Sequence, residues 1–189
     1  MHRNVTSAPL AGTIVVHGLA RKVAGLSWLL AVCFGDHVAQ PARPVLEVSM
    51  FVLDSRLEQD TLVLGDFPLC RLLLMNDAQY PWFILVPRRE EVSELFQLDA
   101  ADQQALWRET TSLAETVKDT FRADKMNVAT LGNVVGQLHM HVIARRRDDA
   151  AWPAPVWGRH PAKPYSDEQV AAIRSKLKLV LTDHFRFGE

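Results

Sequence analysis

His139 and His141 are the residues of this chain best placed to do chemistry, set two apart in Gln137-Leu138-His139-Met140-His141-Val142-Ile143. The stretch alternates polar and apolar residues, which is the pattern of a half-buried strand. At ~3.3 Å per residue and a side-chain period of two, Gln137, His139 and His141 are expected on one face, with Leu138, Met140 and Val142 on the core side. An imidazole with an ordinary pKa near 6.5 is largely unprotonated at neutral pH and is a usable nucleophile toward phosphorus. His139, flanked on its face by two polar partners, is the candidate nucleophile. His141 is expected to donate, as imidazolium, to a non-bridging phosphate oxygen while charge spreads there. Gln137 can donate and accept hydrogen bonds but cannot deliver a proton.

The same stretch resembles the signature of the histidine-triad family of nucleotide hydrolases and transferases, His-φ-His-φ-His-φ-φ with φ apolar. Gln137 stands at the first histidine position, His139 at the middle and His141 at the third, followed by Val142-Ile143 and Ala144-Arg145. The resemblance extends through Met75-Asn76-Asp77, Phe83-Ile84-Leu85-Val86-Pro87 and Asn127, and covers about residues 50–160. Pro87-Arg88-Arg89-Glu90 lacks a histidine that many members carry after that proline. The chain is similar to bacterial members of the diadenosine-tetraphosphate-hydrolase type.

That resemblance implies attack by His139 on the α-phosphate of a nucleotide, expulsion of the other half, and transfer of the nucleotidyl group to water. It places Asn76 near the ribose and Asn127 near the phosphate and nucleophile. Asn133, in the loop before the histidines, is expected to hold phosphate or the bridging oxygen. It also implies a homodimer and no required cofactor, a divalent cation entering only with the nucleotide. Two other readings compete. His-x-His on a strand offers two ligands to a metal ion, but two are too few and Gln137 is a poor third. A nucleotide-binding or interaction protein of the same fold, weakened in turnover by Gln137, is the alternative function.

The elements that must hold these residues follow from pattern. Strands are expected at Thr61–Leu64, Leu69–Met75, Trp82–Pro87, Asn127–Leu131 and Leu138–Arg145, with turns at Gly65-Asp66 and over Asn76–Pro81. A short helical patch is expected at Glu91–Phe96. Asp99 reads as the N-cap of a long helix over Ala101–Arg122, whose buried face is Leu106, Thr110, Leu113, Ala114, Val117 and Phe121, leaving Arg108, Glu109, Glu115 and Lys118 wet. Ser166-Asp167-Glu168-Gln169 is a capping box opening a helix to about Thr182. The fold class is α+β: about five mostly antiparallel strands with one long central helix and a C-terminal helix.

At 189 residues and 48% apolar, the chain is long enough for one well-buried domain. Lys+Arg 21 against Asp+Glu 22 argues against a nucleic-acid coat or polybasic membrane binder. Cys33 and Cys70 have no metal-ligand spacing, and a reducing, cytoplasmic setting is expected. Residues 1–49 are expected to be a poorly ordered extension or the product of an upstream start, with Met50 the functional start and 50–189 the triad-like domain. Within them Ser27–Phe34 is too short to span a bilayer. Arg145-Arg146-Arg147, followed by Asp148-Asp149, reads as a self-compensated surface run, and Arg88 and Arg89 likewise. The Trp152–Gly158 segment is expected to lend a wall to the site or to a dimer contact.

Overall fold

The computed structural model describes residues 51–181 and 184–188; the expectations for 1–49 lie outside them. The elements run α1 Ser55–Asp60, β1 Thr61–Asp66, β2 Cys70–Met75, β3 Trp82–Pro87, a 3-10 turn Leu95–Gln97, α2 Ala100–Phe121, β4 Lys125–Ala129, β5 Met140–Arg145, α3 Asp167–Lys178 and β6 Arg186–Phe187. The strands form one sheet in the order β4-β5-β3-β2-β1-β6, and each neighbouring pair is antiparallel.

The expected α+β layout is present with a sixth strand, β6, too short to read from pattern. Gly65 lets it in: a Cβ there would strike the carbonyl oxygen of Arg186. Gly65 and Asp66 therefore belong to β1, across a bulge in its register with β2, rather than to a turn. The patch expected at Glu91–Phe96 is reduced to the 3-10 turn, and α1, six residues long, gave no periodic signal.

The two faces of the sheet are covered differently. On one, Leu72, Leu74, Phe83, Leu85, Leu138, Met140, Val142 and Ala144 pack with Leu106, Leu113 and Val117 of α2 and Ile173 and Leu177 of α3. On the other, Leu73, Trp82, Ile84, Val86 and Ile143 pack with Leu57 of α1, Val135, Ala151 and Val156. β3 is therefore buried on both sides along its whole length, which accounts for its unbroken apolar run.

The helix ends are closed as their sequences imply. Asp99 accepts from the Asp102 N–H at 2.7 Å, and the Ser166/Gln169 capping box is formed in both directions. Arg122 caps α2 in the left-handed region at φ 52°. Glu109 departs from its expected wet face. Its carboxylate accepts from the N–H groups of Leu69 and Cys70 at 2.8 and 2.9 Å, satisfying donors at the head of β2 that the ladder leaves over. Among the described residues no helix is long and apolar enough to cross a membrane.

Candidate functional site

His139 is the last residue before β5 and His141 the second within it, so the two side chains project to the same face, ring centroids 4.8 Å apart and edge to face. Both are buried, at 5% and 4% exposure. Nδ1 of His139 lies 2.6 Å from the carbonyl oxygen of Gln137. A carbonyl only accepts, so Nδ1 carries a proton, and in the neutral ring the lone pair sits on Nε2. At His141 the partner is of the opposite kind. The indole N–H of Trp82 donates to Nδ1 at 2.9 Å, which leaves Nδ1 bare and the proton on Nε2. Burial, and then the neighbouring His139, push the His141 pKa down from 6.5 to about 3. The expectation of an imidazolium at His141 therefore fails: the residue is a neutral Nε2–H donor.

The two rings open on a cleft of about 350 Å³ whose far wall is α1, through Arg56, Leu57 and Asp60, and whose floor includes Met75, Trp82 and Ile84. Asn133, Val134 and Val135 of the loop before the histidines form one side, and Trp157 closes another. Trp157 meets both the His141 ring and the Trp82 ring edge to face, at 5.2 and 5.5 Å between centroids. Its indole N–H is buried without a partner among the described residues. Of the two indoles in the Trp152–Gly158 segment, only Trp157 reaches the cleft; Trp152 lies against the Arg145 guanidinium, 5.7 Å away.

Residues 56–148 match the HIT domain. Among solved structures, a histidine triad protein from Marinobacter aquaeolei VT8 is 49% identical, the alignment covering 70% of this chain and 97% of that one with a TM-score of 0.69. A histidine triad protein from Bradyrhizobium japonicum is 43% identical over 69% of this chain and 98% of its own, with a TM-score of 0.68. One from Sinorhizobium meliloti 1021 is 45% identical over 67% and 94%, with a TM-score of 0.66. The chain belongs to the histidine-triad family. No curated protein sequence matches it.

Within this histidine-triad chain the side chain at the first triad position is bound to main-chain groups. The carboxamide of Gln137 accepts from the Asp54 N–H and donates to the Val52 carbonyl, both at 2.9 Å, so it acts as a third peptide against the Val52–Asp54 backbone. It does not line the cleft that holds His139 and His141. Its main-chain carbonyl is the group bonded to His139, and Gln137 and His139 together line a smaller recess beside the cleft.

Of the three asparagines, the fold brings only Asn133 to the cleft. Asn76 Oδ1 accepts from the Tyr165 N–H at 2.9 Å, tying the segment before α3 to the end of β2. Asn127 Oδ1 accepts from Arg145 at 2.9 Å. Neither lines the cleft, because each amide is committed to a structural partner. Arg145 corrects the surface-run reading too: it is buried at 2% and grips Asp149 with two bonds of 2.7 and 2.9 Å. Burial alone would raise the Asp149 carboxyl, but Arg145 and the N–H groups of Arg146 and Ala151 hold it below its ordinary value. Arg146 and Asp148 do form the expected exposed pair. Arg88 donates to the carbonyls of Phe67 and Pro68, and Arg89 pairs with Asp102.

Sequence reasoning missed Arg56, Leu57, Asp60, Met75 and the hydrogen-bonding role of Trp82. α1 is too short to show periodicity. Trp82 could have been found: its Cα partner in β5 is Ile143, one diagonal step from His141, within reach of an aromatic side chain. Among the described residues no group of three or more His, Cys, Asp or Glu side chains is arranged to hold a metal ion.

Proposed function

We propose that the protein is a nucleotide hydrolase or transferase acting at the α-phosphate of a nucleoside polyphosphate, of the dinucleoside polyphosphate type, through a nucleotidyl-histidine on His139. The observation that carries this reading is the 2.6 Å bond from His139 Nδ1–H to the Gln137 carbonyl, which leaves the Nε2 lone pair to attack. In the first step a bond forms between Nε2 and the α-phosphorus while the bridging P–O bond breaks, its electron pair leaving with the departing phosphate. In the second, water attacks the same phosphorus, the P–N bond breaks, and one water proton passes to solvent. The neutral Nε2–H of His141 donates to a non-bridging oxygen as charge spreads over it. Asn133 offers an amide from the loop. A divalent cation accompanies the substrate's phosphates, and the reading includes a cytoplasmic homodimer.

A second reading keeps the fold and the nucleotide but loses turnover. It is favoured by the Gln137 carboxamide, which is committed to the Val52 carbonyl and the Asp54 N–H and supplies no proton.

The deciding experiment is incubation with a dinucleoside polyphosphate, an alkaline quench in which a phosphohistidine survives, and intact mass alongside His139→Ala. A nucleotide-sized adduct that needs His139 establishes the enzyme. Nucleotide binding without adduct or product establishes the second reading.

A further inference from the structure

Among the described residues, the side chain hydrogen-bonded to the His141 ring is that of Trp82. It comes from β3, where its Cα pairs with Ile143 rather than with His141, and it reaches diagonally across the ladder to place its N–H 2.9 Å from Nδ1. An indole nitrogen is a donor only. Were His141 to carry its proton on Nδ1, two donors would face each other in a buried contact with nothing to accept either. The indole cannot turn away to relieve that clash: Trp82 is 6% exposed and Trp157 packs on its edge and on the His141 ring together. The His139 ring also meets His141 edge to face. The contact is therefore a built lock on the tautomer.

We propose that Trp82 is a positioning residue for the phosphate-transfer site: its indole N–H holds His141 as the Nε2–H donor toward the phosphate, while the Gln137 carbonyl holds His139 in the opposite tautomer. The proposal rests on the nucleotide reading given above. Neighbouring histidines with identical surroundings would interchange tautomers, and a fraction of molecules would then present two lone pairs, or two N–H groups, to the phosphate. Two different partners, one pure acceptor and one pure donor, remove that ambiguity. Each microstate left behind is one nucleophile beside one donor. Trp82 touches no reacting atom in this scheme; it acts through His141.

The test is nitrogen-15 NMR of the histidine rings in the wild type and in Trp82→Phe, with and without AMP, together with steady-state kinetics on a dinucleoside polyphosphate. The wild type is expected to show His141 protonated at Nε2 and His139 at Nδ1, with AMP shifting the His141 Nε2–H signal. In Trp82→Phe, His141 is expected to mix tautomers while His139, held by the Gln137 carbonyl, stays as it was. The AMP shift at His141 weakens, and kcat falls about 10–100-fold with KM changed far less, short of the ~100–1000-fold of losing an aligned donor outright because part of the population keeps the Nε2–H. A structural role alone would lower stability without moving the tautomer.

His141 found protonated at Nδ1 in the wild type overturns the proposal whatever the variant does. So does a Trp82→Phe protein with an unchanged tautomer and unchanged kcat, or AMP that binds without shifting His141. Replacing the Trp82 indole by its benzothiophene analogue, which keeps the shape and removes the N–H, serves if Trp82→Phe does not fold. A wild type that shifts at His141 on AMP binding but never turns substrate over defeats the hydrolase reading and leaves the Trp82 lock standing.

Discussion

His139 and His141 stand edge to face, 4.8 Å apart between ring centroids, and carry their protons on opposite nitrogens because a backbone carbonyl holds one and an indole N–H the other. Side by side, the pair presents a lone pair and an N–H to the same cleft. Attack on phosphorus and hydrogen bonding to its oxygens require these two complementary functions.

That neutral His141 has a consequence for stability. An unfolded histidine takes up a proton near pH 6.5, whereas His141 in the fold resists until about 3 because burial and then His139 oppose the charge. Between those values the unfolded state binds the extra proton, so its contribution to stability is fully present above pH 6.5 and is lost as the pH falls toward 3, at about 1.4 kcal/mol per pH unit. Urea unfolding at pH 7, 6 and 5 should show this slope in the wild type and a shallower one in His141→Gln. Equal slopes would mean that His141 takes up its proton equally in both states.

Gln137→Ala leaves the Val52 carbonyl and the Asp54 N–H without their side-chain partner. The cost is expected at about 1–2 kcal/mol, toward the low end for unmade bonds because the site is only half-buried. Asp54 is the N-cap of α1, and α1 supplies Arg56, Leu57 and Asp60 to the cleft. KM for the nucleotide should therefore rise while the His139 adduct still forms. Loss of the adduct with KM unchanged would instead assign Gln137 a part in the chemical step.

Leaving groups should be ranked by how little protonation they need. A polyphosphate or nucleotide departs as a stable anion, while the amine of a phosphoramidate depends on an acid, and neither the committed Gln137 amide nor a neutral His141 is a strong one. The ratio of kcat/KM for a dinucleoside polyphosphate to that for a nucleoside phosphoramidate should exceed one; the opposite order would place an acid at the site.

Arg145 and Asp149 form a bidentate pair at 2% and 6% side-chain exposure, with Asn127 on the remaining guanidinium nitrogen. Arg145→Ala strands a buried carboxylate and should cost about 3–5 kcal/mol. Asp149→Ala should cost a comparable amount, and the double variant clearly less than the two together. Additive losses, read by urea unfolding, would show that the two residues stabilise the fold independently.

The strand pattern was legible wherever burial is one-sided or complete along the strand. Leu138, Met140 and Val142 alternate because one face of the histidine stretch packs under α2, and β3 reads as an apolar run because both of its faces are covered. Caps were legible at Asp99 and Ser166 because the cap bond is local, closing within three residues. β6 and α1 were not: two and six residues carry too few periods to stand out from loop.

The site divides along the same line. That His139 and His141 share a face follows from their spacing alone, since the period of a strand is two whatever it pairs with. What surrounds them does not follow from spacing. Whether Asn76, Asn127 and Gln137 face a ligand or a backbone group depends on which segments the fold lays beside them, at separations of 89, 18 and 83 residues. The sequence by itself determined the histidine pair, its strand and the long helix behind it. The tertiary structure alone decided each ring's tautomer, the neutrality of His141 and the diversion of Gln137 and two asparagines into structural bonds, because a hydrogen-bond partner's identity as donor or acceptor is set by contacts that the chain makes only when folded.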